Sequence, residues 1–195
     1  MPMPSDIDPQ SGCRLPLLKR EELDDAGKRA YDRASTPGKT IVGLRGPSGI
    51  HLYSPKTVEA HTVMNQHLRF QCFDAKTREV AILTVAREMD SRFEWAAHEP
   101  EALKEGVSHQ VIEVIKYRKS TQDLDETYAA IIEFGRQIFR DHKVTSDAFA
   151  RVKALFAPNK LVELVLLMGT YASTAALLCA FDMQVPEGKP LLPVG

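Results

Sequence analysis

Residues 78–106 read REVAILTVAREMDSRFEWAAHEPEALKEG, and this stretch decides the fold that the rest of the chain is expected to follow. Apolar residues recur there at the three-to-four spacing of a buried helical face, which predicts a helix over residues 78–89. Asp90 and Ser91 then offer N-cap side chains for a second, short helix over residues 92–99. Two adjacent helices are therefore expected.

Three titratable side chains in this stretch are candidates for a proton-transfer site. Glu79 lies in the first turn of the first predicted helix, while Glu94 and His98 are four residues apart and share one face of the second. A carboxylate beside an imidazole orients the ring and favours its protonated form, which a general acid at neutral pH requires. We predict Glu79, Glu94 and His98 as the catalytic residues.

Each of these side chains also has a purely structural interpretation. Ser91 and Glu94 fit the S-x-x-E capping box, in which the glutamate accepts a hydrogen bond from the serine backbone N–H. His98 fits a hydrogen-bonded structural histidine, and Glu79 fits a solvated residue that complements the helix dipole. The sequence leaves these alternatives open.

Pro100 predicts an interruption directly after His98. Proline has no N–H to donate and disfavours helical geometry at the residue before it, so the helix should kink or restart there. The following residues 100–105 read as a further helical turn, and Gly106 is typical of the residue that ends a helix.

Composition limits the classes of function. The chain has 195 residues, which suits one well-buried domain or at most two small ones. Its 25 basic and 26 acidic residues give no excess of positive charge for binding nucleic acid or an anionic membrane. Cys13, Cys72 and Cys179 are far apart and form no familiar metal-ligand spacing, so we expect free thiols, a reducing compartment and no metal. The first residues lack the features of a secretory signal, which favours a cytoplasmic location.

The remaining segments predict an all-α chain. We expect residues 1–14 to be a disordered tail, residues 15–185 a single domain and residues 186–195 a second tail. Gly and Pro make residues 35–55 a long loop, either a lid over a site or a plain connector. Further helices are predicted over residues 21–34, 55–70, 110–118, 128–139, a segment opening at Thr145 or Ser146, and 161–181.

Several polar and aromatic side chains are candidates to contact a small substrate. Three of them lie in the 35–55 loop, and the others lie on predicted helices where they also fit ordinary surface or core roles. The arginines among them are candidates to hold a carboxylate or a lactone carbonyl. The predicted substrate-binding residues are Arg45, His51, Tyr53, His61, Arg69, Arg87 and Trp95.

The segment 161–181 is apolar enough to raise the question of a membrane span. Polar residues interrupt it, so a helix buried in the domain or at a subunit interface is the favoured interpretation. Its first part, KLVELVLLMGTYA from Lys160, parallels KTREVAILTVA from Lys76 and aligns Glu163 with Glu79. This predicts an internal repeat of two related helical hairpins, with chance similarity between two apolar helices as the alternative.

The core stretch resembles the carboxymuconolactone decarboxylase family, which belongs to the superfamily of alkyl hydroperoxide reductase D-type (AhpD-like) proteins. The resemblance rests on RE-x-A-I-L-x-V-A followed by E-W-x-x-H-x-x-x-A-x-x-x-G, and weaker similarity covers most of the chain. It implies an AhpD-like helical bundle, a homo-oligomer and no cofactor. In the peroxidase branch a CxxC pair would fall at Ser91 and Glu94, so its absence here disfavours thiol-based peroxidase chemistry.

The resemblance implies a cofactor-free lyase of aromatic-compound catabolism that decarboxylates a carboxylated lactone. In that interpretation His98 is the general acid, Glu94 orients it and Glu79 completes the proton network. One alternative is another proton-transfer reaction on a related small acid, by an isomerase, a hydratase or a lactone hydrolase. A further alternative is an oligomer that binds a small ligand without converting it.

Overall fold

The computed structural model describes residues 4–193. Within this range all regular secondary structure is helical. A short 3₁₀ turn at Arg20–Glu22 comes first. The α-helices that follow are α1 Asp25–Ser35, α2 Pro47–His51, α3 Pro55–Phe70, α4 Ala75–Glu88, α5 Arg92–Lys104, α6 His109–Lys116, α7 Glu126–Phe139, α8 Ser146–Leu155 and α9 Pro158–Ala180. The predicted all-α fold class is confirmed.

Two groups of residues pack mainly among themselves. The first unit contains the described residues up to Asn65 together with Ala176–Pro186, and the second contains Gln66–Ala175 and the described residues from Glu187. The predicted domain limits at residues 15 and 185 stay predictions.

The N-terminal part of the first unit consists of hydrogen-bonded turns. The backbone N–H of Asp8 donates to the carbonyl of Cys13 at 2.9 Å, and Ile7 and Cys13 are buried. These residues fall in the segment expected to be disordered, of which residues 1–3 lie outside the described range. Further along, the expected 35–55 loop contains the short helix α2, because Pro47 suits the first turn of a helix.

The second unit is built around α4. This helix packs against α5, α6 and α7, and every residue from Thr77 to Glu88 is buried. The Asp74 side chain caps the N-terminus of this helix by accepting a hydrogen bond from the Thr77 N–H at 3.0 Å. The buried stripe predicted from the sequence is thus one side of a wholly enclosed helix that carries Glu79.

Gly135 permits the close approach of α7 to α4. A Cβ atom at this position would lie 2.6 Å from Thr84 Cγ2 and 3.3 Å from Met168 Cε. No real side chain tolerates the first of these distances, so only glycine fits between the two neighbours without a shift.

Helix α5 differs from its prediction, because it continues through Pro100 instead of ending at Glu99. A proline inside a helix costs about 3 kcal/mol through one lost hydrogen bond and a steric clash. Buried side chains before and after it, including Trp95 and Ala102, offset this cost through packing. Gly106 follows the helix at φ +88°, as its predicted role at the helix end requires.

Among the described residues, α9 alone is long and apolar enough to cross a membrane by length and composition. Leu164, Leu167 and Met168 on this helix are fully buried in the second unit. Val162 and Leu166, in contrast, are 59% and 47% exposed. The helix therefore has one core face, as predicted, and one apolar face that residues 4–193 leave uncovered.

Candidate active site

Glu79 and His98 form a buried hydrogen bond between α4 and α5. Glu79 Oε2 lies 2.7 Å from His98 Nδ1, and the two residues are 1% and 5% exposed. The solvated role considered for Glu79 is therefore wrong, because helices pack around every side of α4. A carboxylate and an imidazole held together away from water interact more strongly than they would at the surface.

Arg78 is a second hydrogen-bond partner of the Glu79 carboxylate. Its Nε donates to Glu79 Oε1 at 3.0 Å, so each carboxylate oxygen has one partner. Burial raises the pKa of Glu79, but the hydrogen bonds and charges of His98 and Arg78 outweigh burial and lower it overall. Glu79 is thus a carboxylate that can only accept, and His98 must donate its Nδ1 proton. The ring nitrogen left to exchange a proton with a ligand is Nε2.

Glu94 is buried with no hydrogen bond from any described residue to either carboxylate oxygen. Burial raises its pKa to about 8, and the Ser91 side chain offsets part of this rise. The carboxyl group is therefore neutral at pH 7 and able to give up a proton. The prediction that Glu94 orients the His98 ring is wrong, because the carboxylate bonded to that ring is Glu79.

The capping-box alternative for Glu94 is wrong. The Ser91 backbone N–H, which the box would use, donates instead to the carbonyl of Ala86 at 2.8 Å. Ser91 occupies the N-cap position of α5, but its side chain makes no capping hydrogen bond. Asp90, the other predicted cap, has φ +48° and accepts a hydrogen bond from Arg87. Glu94 accordingly takes no part in a capping box at the start of α5.

Two further residues border the pair. The Tyr171 ring packs edge-on against the His98 ring with centroids 5.1 Å apart, and burial raises the pKa of Tyr171. Arg69 accepts a hydrogen bond on its carbonyl from Arg78, and its own buried Nε has no partner among the described residues. Arg69 was predicted, whereas Tyr171 was not, because an aromatic residue in an apolar helix is typical of a core position.

Arg87 and Trp95, both predicted to bind substrate, are engaged in other contacts. Arg87 lies eight residues beyond Glu79 on α4, or about 12 Å along the axis, and its Nη1 donates to Asp90. Trp95 is fully buried, donates its indole N–H to Glu99 and packs under the Lys116 ammonium group. The structure does not bring Arg87 to the Glu79–His98 pair, and Trp95 serves as a core residue.

The other predicted substrate-binding residues belong to the first unit. The His51 and His61 rings pack at a tilted angle with centroids 5.0 Å apart, and burial together with the neighbouring His61 lowers the pKa of His51 to about 4. The Tyr53 hydroxyl donates to the carbonyl of Pro16 at 2.6 Å. The exposed Arg45 guanidinium lies close against Gly12. These contacts are local to the first unit, and a role of these residues in substrate binding stays a prediction.

Comparison with known proteins identifies the fold. No protein-family model and no curated protein matches the sequence. Among solved structures, the alkylhydroperoxidase AhpD core of an uncharacterized peroxidase-related protein from Ralstonia eutropha JMP134 is similar, with a TM-score of 0.73 and 12% identity over 90% of this chain and 93% of that one. A protein of unknown function from Agrobacterium tumefaciens, whose name relates it to the antioxidant defence protein AhpD, has a TM-score of 0.64 and 16% identity over 70% and 95% of the respective chains.

The fold and the site together define an all-α protein with a buried carboxylate–imidazole pair. The chain has the AhpD-like fold, as the resemblance implied.

Proposed function

We propose that this protein is a cofactor-free acid–base enzyme that decarboxylates a carboxylated lactone of the carboxymuconolactone type. The observation that carries the proposal is the buried Glu79–His98 hydrogen bond with a neutral glutamic acid on the same helix as the histidine. Such a set can deliver and recover protons near neutral pH without a redox group. The sequence motif shared with the carboxymuconolactone decarboxylase family supports this choice of substrate.

The proposed decarboxylation requires one correctly positioned proton donor from the protein. When the carbon–carboxylate bond breaks, CO2 leaves and its electron pair enters the unsaturated lactone, which is itself an electron sink. A proton must then reach the far carbon of the allylic system. Because Nδ1 donates to Glu79, His98 gives the proton from Nε2, which requires the ring to carry a proton on each nitrogen before the step. The protonated Glu94 can then replace the proton that Nε2 gives up.

Arg69 is the cation best placed to hold the substrate. It belongs to the same unit as the pair, and its buried Nε has no partner among the described residues. A buried N–H without an acceptor costs free energy that a bound carboxylate or lactone oxygen would recover. Arg69 was predicted to bind the substrate, and we now assign it the substrate carboxylate or lactone oxygen. Arg87, also predicted to bind the substrate, is not included in this proposal.

Peroxide reduction is the second candidate, because one similar structure is described as peroxidase-related. Thiol chemistry at the positions of the usual CxxC pair is disfavoured, since Ser91 and Glu94 stand there. A peroxidase reaction would therefore need a reductant other than a local cysteine pair. The two candidates differ in whether the product is CO2 or a reduced peroxide.

Ultraviolet-monitored turnover of γ-carboxymuconolactone tests the proposal, with wild type beside His98→Ala and with His109→Ala as an exposed-histidine control. We expect CO2 release and substrate loss in wild type and in His109→Ala, and neither in His98→Ala. Circular dichroism checks that all three proteins are folded. A parallel assay of hydroperoxide consumption with a dithiol reductant covers the second candidate. Wild type that leaves the lactone unchanged would refute the named reaction.

We also propose that the protein is a cytoplasmic homo-oligomer in which a second copy of the chain covers the exposed side of α9. The exposed side chains there, Val162, Val165 and Leu166, are aliphatic and belong to one helical face. An aliphatic surface of this kind is typical of contacts between identical subunits, where the same patch can serve both partners.

A further inference from the structure

A second histidine–glutamate pair lies in the part of the chain that the Glu79–His98 site does not use. His67 in the last turn of α3 places Nε2 3.3 Å from Oε1 of Glu163 in α9. Glu163 is the residue that aligns with Glu79 in the internal repeat. No histidine follows the second copy of the repeat in the sequence. The histidine that contacts Glu163 instead lies 96 residues before it.

Cys72 completes a three-residue cluster with this pair. The Cys72 sulfur, a His67 ring nitrogen and a Glu163 carboxylate oxygen all lie within 4.8 Å of one another. In a tetrahedral zinc site, neighbouring nitrogen, oxygen and sulfur ligands are about 3.4–3.6 Å apart, given the usual metal–ligand distances. The observed 3.3 Å between His67 and Glu163 matches one edge of such a tetrahedron. Small side-chain movements would bring the three donors around one ion.

The neighbouring residues orient the cluster in the way that metal sites require. Gln71 Oε1 lies 3.0 Å from His67 Nδ1, so this side chain can accept the Nδ1 proton and leave Nε2 with a free lone pair. Lys160 Nζ donates to Oε2 of Glu163 at 2.8 Å, which leaves Oε1 directed at His67. The His67 side chain is 51% exposed, so an ion can reach the cluster from solvent.

We propose that His67, Cys72 and Glu163 bind a divalent transition-metal ion, with Zn²⁺ as the best fit. A soft thiolate with an imidazole and one carboxylate selects zinc-like ions over Mg²⁺ or Ca²⁺, which prefer oxygen ligands throughout. Without the ion, the Cys72 thiol donates to the backbone carbonyl of His67. Binding of the ion releases this proton to solvent and leaves a thiolate ligand. Three protein ligands leave a fourth position for water, and the ion joins the end of α3 to the start of α9.

Cobalt provides the most direct test, because Co²⁺ occupies zinc sites and reports its ligands by absorption. We expect the full-length protein, freed of metal by a chelator, to bind one Co²⁺ per chain with a thiolate-to-cobalt charge-transfer band and the visible bands of tetrahedral coordination. Added Zn²⁺ should abolish these bands by displacing Co²⁺. Cys72→Ser should lose the charge-transfer band, whereas the control Cys179→Ser should keep it.

Variants of the other residues test the geometry and the charge of the cluster. His67→Ala and Glu163→Gln should each weaken Co²⁺ binding at least tenfold, while His109→Ala should leave it unchanged. A wild-type protein without the charge-transfer band, or a band that survives Cys72→Ser, would overturn the proposal. Circular dichroism of each metal-free variant separates loss of binding from loss of folding.

Discussion

His98 Nδ1 lies 2.7 Å from Glu79 Oε2, although the two residues are 19 positions apart and His98 has another glutamate four residues before it on its own helix. Because of this contact, the two carboxyl groups differ in protonation state. Glu79 is charged, because His98 and Arg78 counteract the effect of burial on its pKa. Glu94 is neutral at pH 7, because burial acts on it almost unopposed. One helix pair thus holds both a fixed anion and a proton donor.

Replacing Glu79 by glutamine should remove the charge that orients His98 while keeping the shape of the side chain. We expect kcat/KM on the lactone to fall about 10²–10⁴-fold, the usual contribution of a positioned acid–base group. The measurement is steady-state turnover, with the exposed Glu113→Gln as a control that should match wild type. Equal activity of the Glu79 and Glu113 variants would show that the pair is structural.

Glu94 should make stability depend on pH in a specific direction. Its pKa is 4.5 when unfolded and about 8 when folded, so the folded state holds more protons between these values. The free-energy cost of keeping this carboxyl group out of water is specific to its ionised form. It is absent below pH 4.5, grows as pH rises and reaches its full value above about pH 8. Glu94→Gln should therefore gain stability over wild type as pH increases, by up to a few kcal/mol.

Urea denaturation at pH 5, 7 and 9 measures this difference. Glu101→Gln on the same helix is the matched control, because that side chain is partly exposed and salt-bridged to Lys104. Its difference from wild type should change little with pH. A Glu94→Gln curve that stays parallel to wild type across this range would mean that Glu94 is ionised when folded.

Two helical glycines should respond in opposite ways to alanine. Gly135→Ala places a methyl group 2.6 Å from Thr84 Cγ2, and overpacking of this kind costs about 1–3 kcal/mol. Gly169→Ala meets nothing within 4 Å in the single chain, and in the Leu166→Glu background, which opens the proposed interface, it should stabilise α9 by about 0.5–1 kcal/mol through helix propensity. Chemical denaturation of both variants checks the signs. Similar shifts for the two would contradict the close contact between α7 and α4.

The uncovered face of α9 should control assembly. We expect analytical ultracentrifugation to show an oligomer for wild type and smaller species for Leu166→Glu, because a charge at this position opposes burial of the face. Tyr117→Glu alters another exposed apolar residue, 53% accessible, and should leave the assembly unchanged. A monomeric wild type would rule out a second copy as the partner of this face.

Local sequence signals predicted most helices within a few residues, since apolar spacing and capping side chains act over single turns. The failures came where packing, or a second local interaction, overrode the local rule. Helix α5 passes through Pro100 because buried neighbours on both sides hold it, and α2 forms inside a segment rich in Gly and Pro. The capping box at Ser91 failed because its backbone N–H binds Ala86 in the preceding helix.

The sequence by itself determined the all-α class and nominated Glu79, Glu94 and His98, because helical periodicity and residue chemistry are properties of short segments. Only the tertiary structure decided which carboxylate holds the histidine, since that depends on how α4 and α5 pack. The same holds for the isolation of Glu94 from hydrogen-bond donors among the described residues, and for the meeting of His67 with Glu163. Contacts between distant segments are set by packing, and no local pattern encodes them.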